Sequence, residues 1–179
     1  MDLWTYGPMD PWTHLDREYP VPMTDRDRLL EMLDRVHDGD AWHGPSVMST
    51  VRGVRASDAD ARPLETAHTI GEIARHVVGW RDEVRERLEG KEPALPACGD
   101  WPGPSAGGWT ATLAELDRSH RQLRDAIVAL PAARWDALVG PSREAGLGTG
   151  VSVAVMLHGI IQHDAYHAGQ MALLKKALG

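Results

Sequence analysis

The sequence has one cysteine, no phenylalanine, few lysines and no long apolar run. Because Cys98 has no partner within the chain, no intrachain disulfide can form, and we expect a reducing, cytoplasmic environment. The longest uninterrupted apolar stretch, VAVML at residues 153–157, is far shorter than the ~20 residues that cross a bilayer. The opening residues, MDLWTYGPMD, lack the basic and apolar regions of a secretory signal. These deficits predict a protein that neither crosses a membrane nor is exported.

Charge and composition narrow the function classes further. The net charge is −7, and the basic residues, mostly arginine, form no continuous stripe, which argues against nucleic acid or an anionic membrane as the main partner. The chain has 179 residues, of which 42% are hydrophobic and 25% charged, as in an ordinary globular domain. The seven Trp are interpreted as aromatic residues of the core and of pocket walls.

Apolar residues recur at helical spacing in four long segments, and no segment shows a convincing strand alternation. Thr24 caps the first helix, and a glycine or proline follows the first, second and third. The predicted helices cover residues 25–38, 70–89, 109–130 and 151–177. We therefore predict an all-α fold, an antiparallel four-helix bundle over residues 23–179 with short extra helical turns in its loops. Residues 1–22, rich in proline and aromatic residues, are predicted to form an irregular N-terminal arm.

The stretch IIQHDAYHAGQM places His163 and His167 four residues apart, so both imidazoles lie on one helix face and can reach a single ion. His76, near the buried edge of the second helix, is a third donor, because facing helices of a bundle build metal sites from inward residues. Three histidines without a fourth protein ligand are typical of an open, exchangeable site. Zinc, nickel and iron all fit three imidazoles. The alternative is three core histidines without a metal.

The other histidines are expected to lie outside this site. His14, His37 and His68 are predicted to be solvated, and His120 to be either a core or a surface residue. His158 lies about 140° around the helix from His163, since each residue turns the helix by about 100°. His43 lies in a loop that could cover the end of the bundle.

No general base is identified. Asp164 and Glu72 could orient imidazoles as outer partners of the metal ligands, but we expect both carboxylates to be exposed.

Three blocks of the sequence resemble the DinB/YfiT-like superfamily of metal-dependent proteins: AWHGPSVMSTVRGVRASDADARP, AHTIGEIARHVVGWRDEVRERLEG and VMLHGIIQHDAYHAGQMALLKKAL. The resemblance covers residues 24–178, and its most specific element is the H-x-x-x-H followed by Gly169 and Gln170. It implies a four-helix bundle that holds a divalent metal, often nickel or zinc, through His76, His163 and His167. It also implies a homodimer.

Three functions follow from these patterns as alternatives. The resemblance favours a thiol S-transferase that joins a low-molecular-weight thiol, such as bacillithiol or mycothiol, to a small electrophilic substrate. An open His₃ ion could instead activate water for a metal-dependent hydrolase. The third alternative is a non-catalytic bundle that binds a metal or a small ligand.

Overall fold

The computed structural model describes residues 22–179, so His14 and all but the last residue of the predicted N-terminal arm lie outside the described residues. Within the described range the chain forms an all-α bundle with four long helices. The helices are α1 (Asp25–Asp38), α2 (Val47–Val51), α3 (Ala56–Ala59), α4 (Ile70–Leu88), α5 (Gly108–Ala129) and α6 (Val153–Leu178). The four long segments agree with the prediction to within two residues, and α2 and α3 are the expected short turns.

Side-chain caps fix where the first and second long helices begin. The Thr69 hydroxyl accepts a hydrogen bond from the Glu72 backbone N–H at 3.1 Å, and the Glu72 carboxylate accepts one from the Thr69 N–H at 2.8 Å. Thr24 and Asp27 form the same reciprocal arrangement at α1. Each cap satisfies backbone N–H groups that have no partner inside the helix. The caps therefore set the register of α4 and, with it, the direction in which its side chains point.

A two-stranded antiparallel sheet precedes α6 and corrects the expectation that no strand forms. Strands β1 (Leu138–Val139) and β2 (Val151–Ser152) pair Leu138 with Ser152 and Val139 with Val151. Two residues are too few to show an alternating pattern, so the sequence carried no signal for them. Val151, predicted to begin the last helix, therefore lies in a strand, and Ser152 caps α6 instead.

The apolar core is divided into two clusters by a layer of polar side chains. One cluster joins α1 and the N-terminal half of α6 to the C-terminal halves of α4 and α5. The other joins α2 and the C-terminal half of α6 to the N-terminal halves of α4 and α5. Between them lie buried polar residues, namely His37, His76, Arg81, His120, Asp164 and His167. This layer positions the candidate site.

Two further findings concern the surface. Trp42 is 97% exposed, so the interpretation of every Trp as a core or pocket residue is wrong at that position. Within residues 22–179, no helix combines the length and the apolar character needed to cross a membrane.

Candidate metal centre

Three histidines from two helices meet in the polar layer. α4 supplies His76, and α6 supplies His163 and His167, which lie one turn apart. One ring nitrogen from each of the three lies within 4.8 Å of the others. The closest pair of ring centroids, those of His163 and His167, is 4.4 Å apart. The structure thus brings together the three residues that the sequence predicted as ligands.

Acceptors outside the cluster orient the rings by their Nδ1 atoms. The Nδ1 of His76 lies 2.6 Å from the backbone oxygen of Asp100, and that of His167 lies 2.7 Å from Oε1 of Gln170. Each acceptor requires a proton on Nδ1, which leaves a lone pair on Nε2 of the neutral ring. Such outer hydrogen bonds fix the tautomer in metal-binding histidines. Gln170, part of the motif that carried the family resemblance, is therefore an orienting residue.

The donor set fits a divalent cation. The Nε2 atoms of His76 and His163 are 2.9 Å apart. Two imidazole nitrogens bound to one ion at ~2.0–2.1 Å lie about 3 Å from each other, so this spacing suits a shared ion. Without a proton or a cation between them, two lone pairs at this distance would repel. Three neutral nitrogen donors also leave a coordination position for a further ligand.

Burial keeps two of these rings in the form that binds metals. His76 and His167 are both 5% exposed, whereas His163 is half-buried. Burial, together with the neighbouring His163, lowers the pKa of His167 to about 4. Burial also lowers the pKa of His76, against the opposing effect of its hydrogen bond to Asp100. Both imidazoles are therefore neutral near pH 7, and His163 is the most accessible side of the cluster.

The proline- and glycine-rich connector between α4 and α5 covers His76. The Trp101 ring stacks on His76 with centroids 4.0 Å apart, and His68 stacks on the other side of Trp101 at 3.5 Å. Asp100 accepts a hydrogen bond from the Trp80 indole N–H at 2.8 Å and so ties the connector to α4. Sequence reasoning missed Asp100 and Trp101, because an irregular segment gives no periodicity that would indicate which residues face the site.

Asp164 corrects the prediction of an exposed carboxylate, because its side chain is completely buried. The Arg81 side chain is equally buried and donates from Nε to Oδ2 of Asp164 at 2.8 Å. The other oxygen of Asp164 lies 3.7 Å from Nδ1 of His163. Burial alone would raise the pKa of Asp164, but the Arg81 guanidinium and the neighbouring His163 together outweigh it and hold this pKa below its usual range. A carboxylate thus lies behind the third histidine.

A second pair of histidines lies deeper in the same layer. His37 and His120 stack with ring centroids 4.0 Å apart, and both are buried, so the prediction of a solvated His37 is wrong. Asp117 lies 3.0 Å from Nε2 of His37, and Asp34 lies 3.1 Å from Nε2 of His120. Burial lowers the pKa of each ring to about 4. Arg81, 3.4 Å from Nδ1 of His37, links this pair to Asp164.

The remaining candidates do not join the centre. His158 and His43 are exposed and lie outside the cluster of three histidines. His68, predicted to be solvated, is partly exposed and stacks on Trp101. Glu72 is half-buried rather than exposed, and its carboxylate is used by the α4 cap and by Arg62 at 2.9 Å. Glu72 therefore fixes the start of the helix that carries His76 and does not contact that ring.

Comparison with known proteins gave one family. A family model described as the DinB superfamily matches residues 41–171, a range that includes α4, α5, most of α6 and all three clustered histidines. No curated protein and no solved structure matches the chain.

Proposed function

This chain belongs to the DinB superfamily, and from that premise we propose that it is a metal-dependent thiol S-transferase acting on a small electrophile. His76, His163 and His167 are proposed to hold a divalent ion, with nickel or zinc preferred and iron as a further candidate. The observation that carries the proposal is the shared orientation of these rings. The Nδ1 atoms of His76 and His167 face oxygen acceptors, while the Nε2 atoms of His76 and His163 meet at 2.9 Å.

A divalent ion held by three neutral imidazoles supplies a Lewis acid that lowers the pKa of a thiol or a water molecule in the open position. The chain's own residues orient the ligands and exclude water around them. Asp100 and Gln170 accept the Nδ1 protons of their histidines, and Trp101 shields one face of His76. Asp164 places a carboxylate oxygen 3.7 Å from Nδ1 of His163, a charge contact and not a hydrogen bond. The half-buried edge of His163 is the direction from which a substrate would approach.

Thiol transfer is preferred over hydrolysis because of the resemblance, together with a feature of the site. A carboxylate that activates a water molecule should be free of other partners and close to the reacting atoms. Near the cluster, Asp164 is held by Arg81, and Asp100 accepts the indole N–H of Trp80. A thiol has an unperturbed pKa of about 8.5, far below the ~15.7 of bulk water, so a bound metal ion ionises it with less need of such a base.

Metal analysis tests the ligand assignment. Untagged protein, purified without a nickel column, is expected to carry about one divalent ion per chain. His76→Ala, His163→Ala and His167→Ala are each expected to lose the ion and to keep helical circular dichroism. His158→Ala is the matched control, because His158 is an exposed residue of α6 outside the cluster. A variant of the triad that retains metal at the wild-type level would remove that residue from the ligand set.

Cobalt spectroscopy separates the transferase from its alternatives. In cobalt-substituted Cys98→Ser protein, bacillithiol, mycothiol, glutathione or coenzyme A is expected to produce a sulfur-to-metal charge-transfer band. The substitution is needed because Cys98 is an exposed thiol that could give its own signal. A spectrum that none of these thiols changes would rule out thiol transfer. Hydrolysis of small esters or amides would then favour the hydrolase. Absence of hydrolysis would favour a non-catalytic bundle that binds a metal or a small ligand.

A further inference from the structure

A groove of about 350 Å³ runs along α6 and ends at the metal centre. Val155, Gly159 and His163 line it, and they lie four residues apart on one face of the helix. Met156 and Ile160, both buried, form its floor. Trp80 of α4 forms part of the opposite wall. The groove therefore leads along an apolar surface to the most accessible of the three candidate ligands.

Gly159 keeps this groove open. It lies inside α6, and a Cβ atom built on it would meet no heavy atom within 4 Å. Glycine in a helix interior costs roughly 0.5–1 kcal/mol relative to alanine, so its presence here weakens the helix without relieving any steric conflict. Any larger side chain at this position would extend into the space between Val155 and His163. The glycine thus leaves room for a ligand beside the metal centre.

The charge around the groove is positive. Arg87 and Arg143 both line it, and none of its lining residues is acidic. Arg87 is buried and already engaged, since it pairs with Glu83 at 3.0 Å and donates to the backbone oxygens of Leu147 and Ala94. Its charge is therefore neutralised, and its role is to hold two covering segments against α4.

Arg143 is the cation that remains for a ligand. It is exposed, donates one hydrogen bond to the backbone oxygen of Thr149 at 3.0 Å, and has no ion pair with a carboxylate of residues 22–179. The Thr149 hydroxyl donates to the Ser142 oxygen at 2.7 Å and fixes the loop on either side of Arg143. Gly150, with φ of +70°, allows the backbone of Arg143 to approach closely. The loop thus holds a guanidinium at the edge of an apolar groove.

We propose that this groove is the binding site for the electrophilic substrate, a small molecule with an apolar body and an anionic group. The apolar body lies over Met156 and Ile160 in the gap at Gly159, the anionic group pairs with Arg143, and the reactive end faces His163. This assignment rests on the proposed function for the identity of the reaction. The binding of an apolar anion in the groove does not depend on it.

Two dyes that differ only in charge test this site. Anilinonaphthalene sulfonate is an apolar anion, and N-phenylnaphthylamine is the same ring system without the sulfonate. Both gain fluorescence in apolar sites, so titration into metal-free and zinc-loaded protein gives their dissociation constants. Gly159→Leu is expected to weaken both dyes by about tenfold or more, since leucine would fill the gap. Arg143→Gln is expected to weaken only the sulfonate, by about three- to fivefold, the size of an exposed charge pair.

Gly169→Leu is the matched control for the blocked groove. Gly169 is an exposed glycine of the same helix, a Cβ on it would also meet nothing within 4 Å, and it does not line the groove. Both variants replace a helix glycine with a better helix former, so neither should unfold. Equal effects of Gly159→Leu and Gly169→Leu, or equal effects of Arg143→Gln on the two dyes, would overturn the proposal.

The zinc, nickel and iron content of each protein is measured in parallel. Groove binding that follows the expected pattern in a chain that takes up neither zinc, nickel nor iron would refute the metal function and leave the groove standing. A zinc-loaded protein whose dye binding is unchanged by Gly159→Leu would refute the groove and leave the metal function standing.

Discussion

Among substitutions at the site that exchange a single atom, Asp164→Asn should lower the free energy of unfolding the most. Asp164→Asn replaces a carboxylate oxygen by an amide nitrogen and leaves Arg81 as an uncompensated buried cation, since both side chains are fully buried. Breaking such a pair costs about 3–5 kcal/mol. In a chain of this size each kcal/mol lowers the melting temperature by about 2–4 °C, so we expect a decrease of about 6–20 °C.

The double variant Arg81→Met with Asp164→Leu tests whether the charge is responsible. It removes both buried ions at once and is expected to recover most of the lost free energy of unfolding, as apolar replacements of buried pairs do. A remainder of about 1–3 kcal/mol is expected, because Arg81 also donates to the backbone oxygen of Leu116 at 3.2 Å. Urea unfolding of metal-free protein measures all three free energies.

Metal affinity should not recover with stability. In the double variant His163 has lost the carboxylate 3.7 Å from its Nδ1. Loss of a hydrogen-bonded partner lowers metal affinity by about 10–100-fold, so we expect the loss of this longer contact to lower it by about tenfold. Stability would thus return while zinc binding stays weak, a split that a purely structural ion pair cannot produce. The reasoning fails if Asp164→Asn unfolds within about 1 kcal/mol of wild type, or if the double variant binds zinc as tightly as the native chain.

Two further predictions concern acid stability and the loop beside the groove. Because the pKa values of His37 and His120 lie at about 4 in the folded state, below the usual 6.5, the unfolded chain binds protons more readily between these values. Stability should therefore be complete above about pH 6.5 and should fall towards pH 4, by up to ~1.4 kcal/mol per pH unit for each histidine. The urea midpoint of metal-free protein should depend on pH more steeply in wild type than in His37→Gln. Parallel pH profiles for the two proteins would contradict the prediction. Gly150→Ala should loosen the loop that holds Arg143, since φ at this position is +70° and the new methyl would lie 2.5 Å from the Arg143 Cα. Limited proteolysis should then cleave at residues 140–150 faster than in wild type. An unchanged cleavage rate would show that the loop tolerates the strain.

The pairing of His163 with His167 was predictable from local spacing, and His76 was proposed as their partner because inward residues of facing helices build metal sites and because the family resemblance implies it. His163 and His167 share a face because they are four residues apart, and His76 lies between the apolar positions Ile73 and Trp80. Metal binding itself stays a prediction. The cap at Thr24 was equally local, and the bounds of the first helix followed from it and the apolar periodicity. The start of the second helix followed from the periodicity, and the structure adds the cap at Thr69.

Pairing across helices was not predictable from the sequence. Asp164 was expected to be exposed because it points about 100° away from His163, but α6 packs on several elements, and that direction faces Arg81 in the core. His37 lies at a helix end, where exposure is common, and only the long-range contacts with His120 and Asp117 bury it. No periodicity within one helix reports which residue of another helix lies opposite.

The polar layer gives Arg81 and Asp164 two roles that one geometry satisfies. Their ion pair joins α4 to α6 where neither apolar cluster continues, and the same pair holds the carboxylate of Asp164 ionised beside His163. An apolar layer would serve the first role at no cost in desolvation, as buried pairs are seldom the most stabilising choice. The second role requires a buried anion, and a buried anion requires a buried cation. If His163 binds the proposed ion, the presence of Arg81 in the core is explained by the charge that Asp164 places beside that ligand and not by the stability of the bundle.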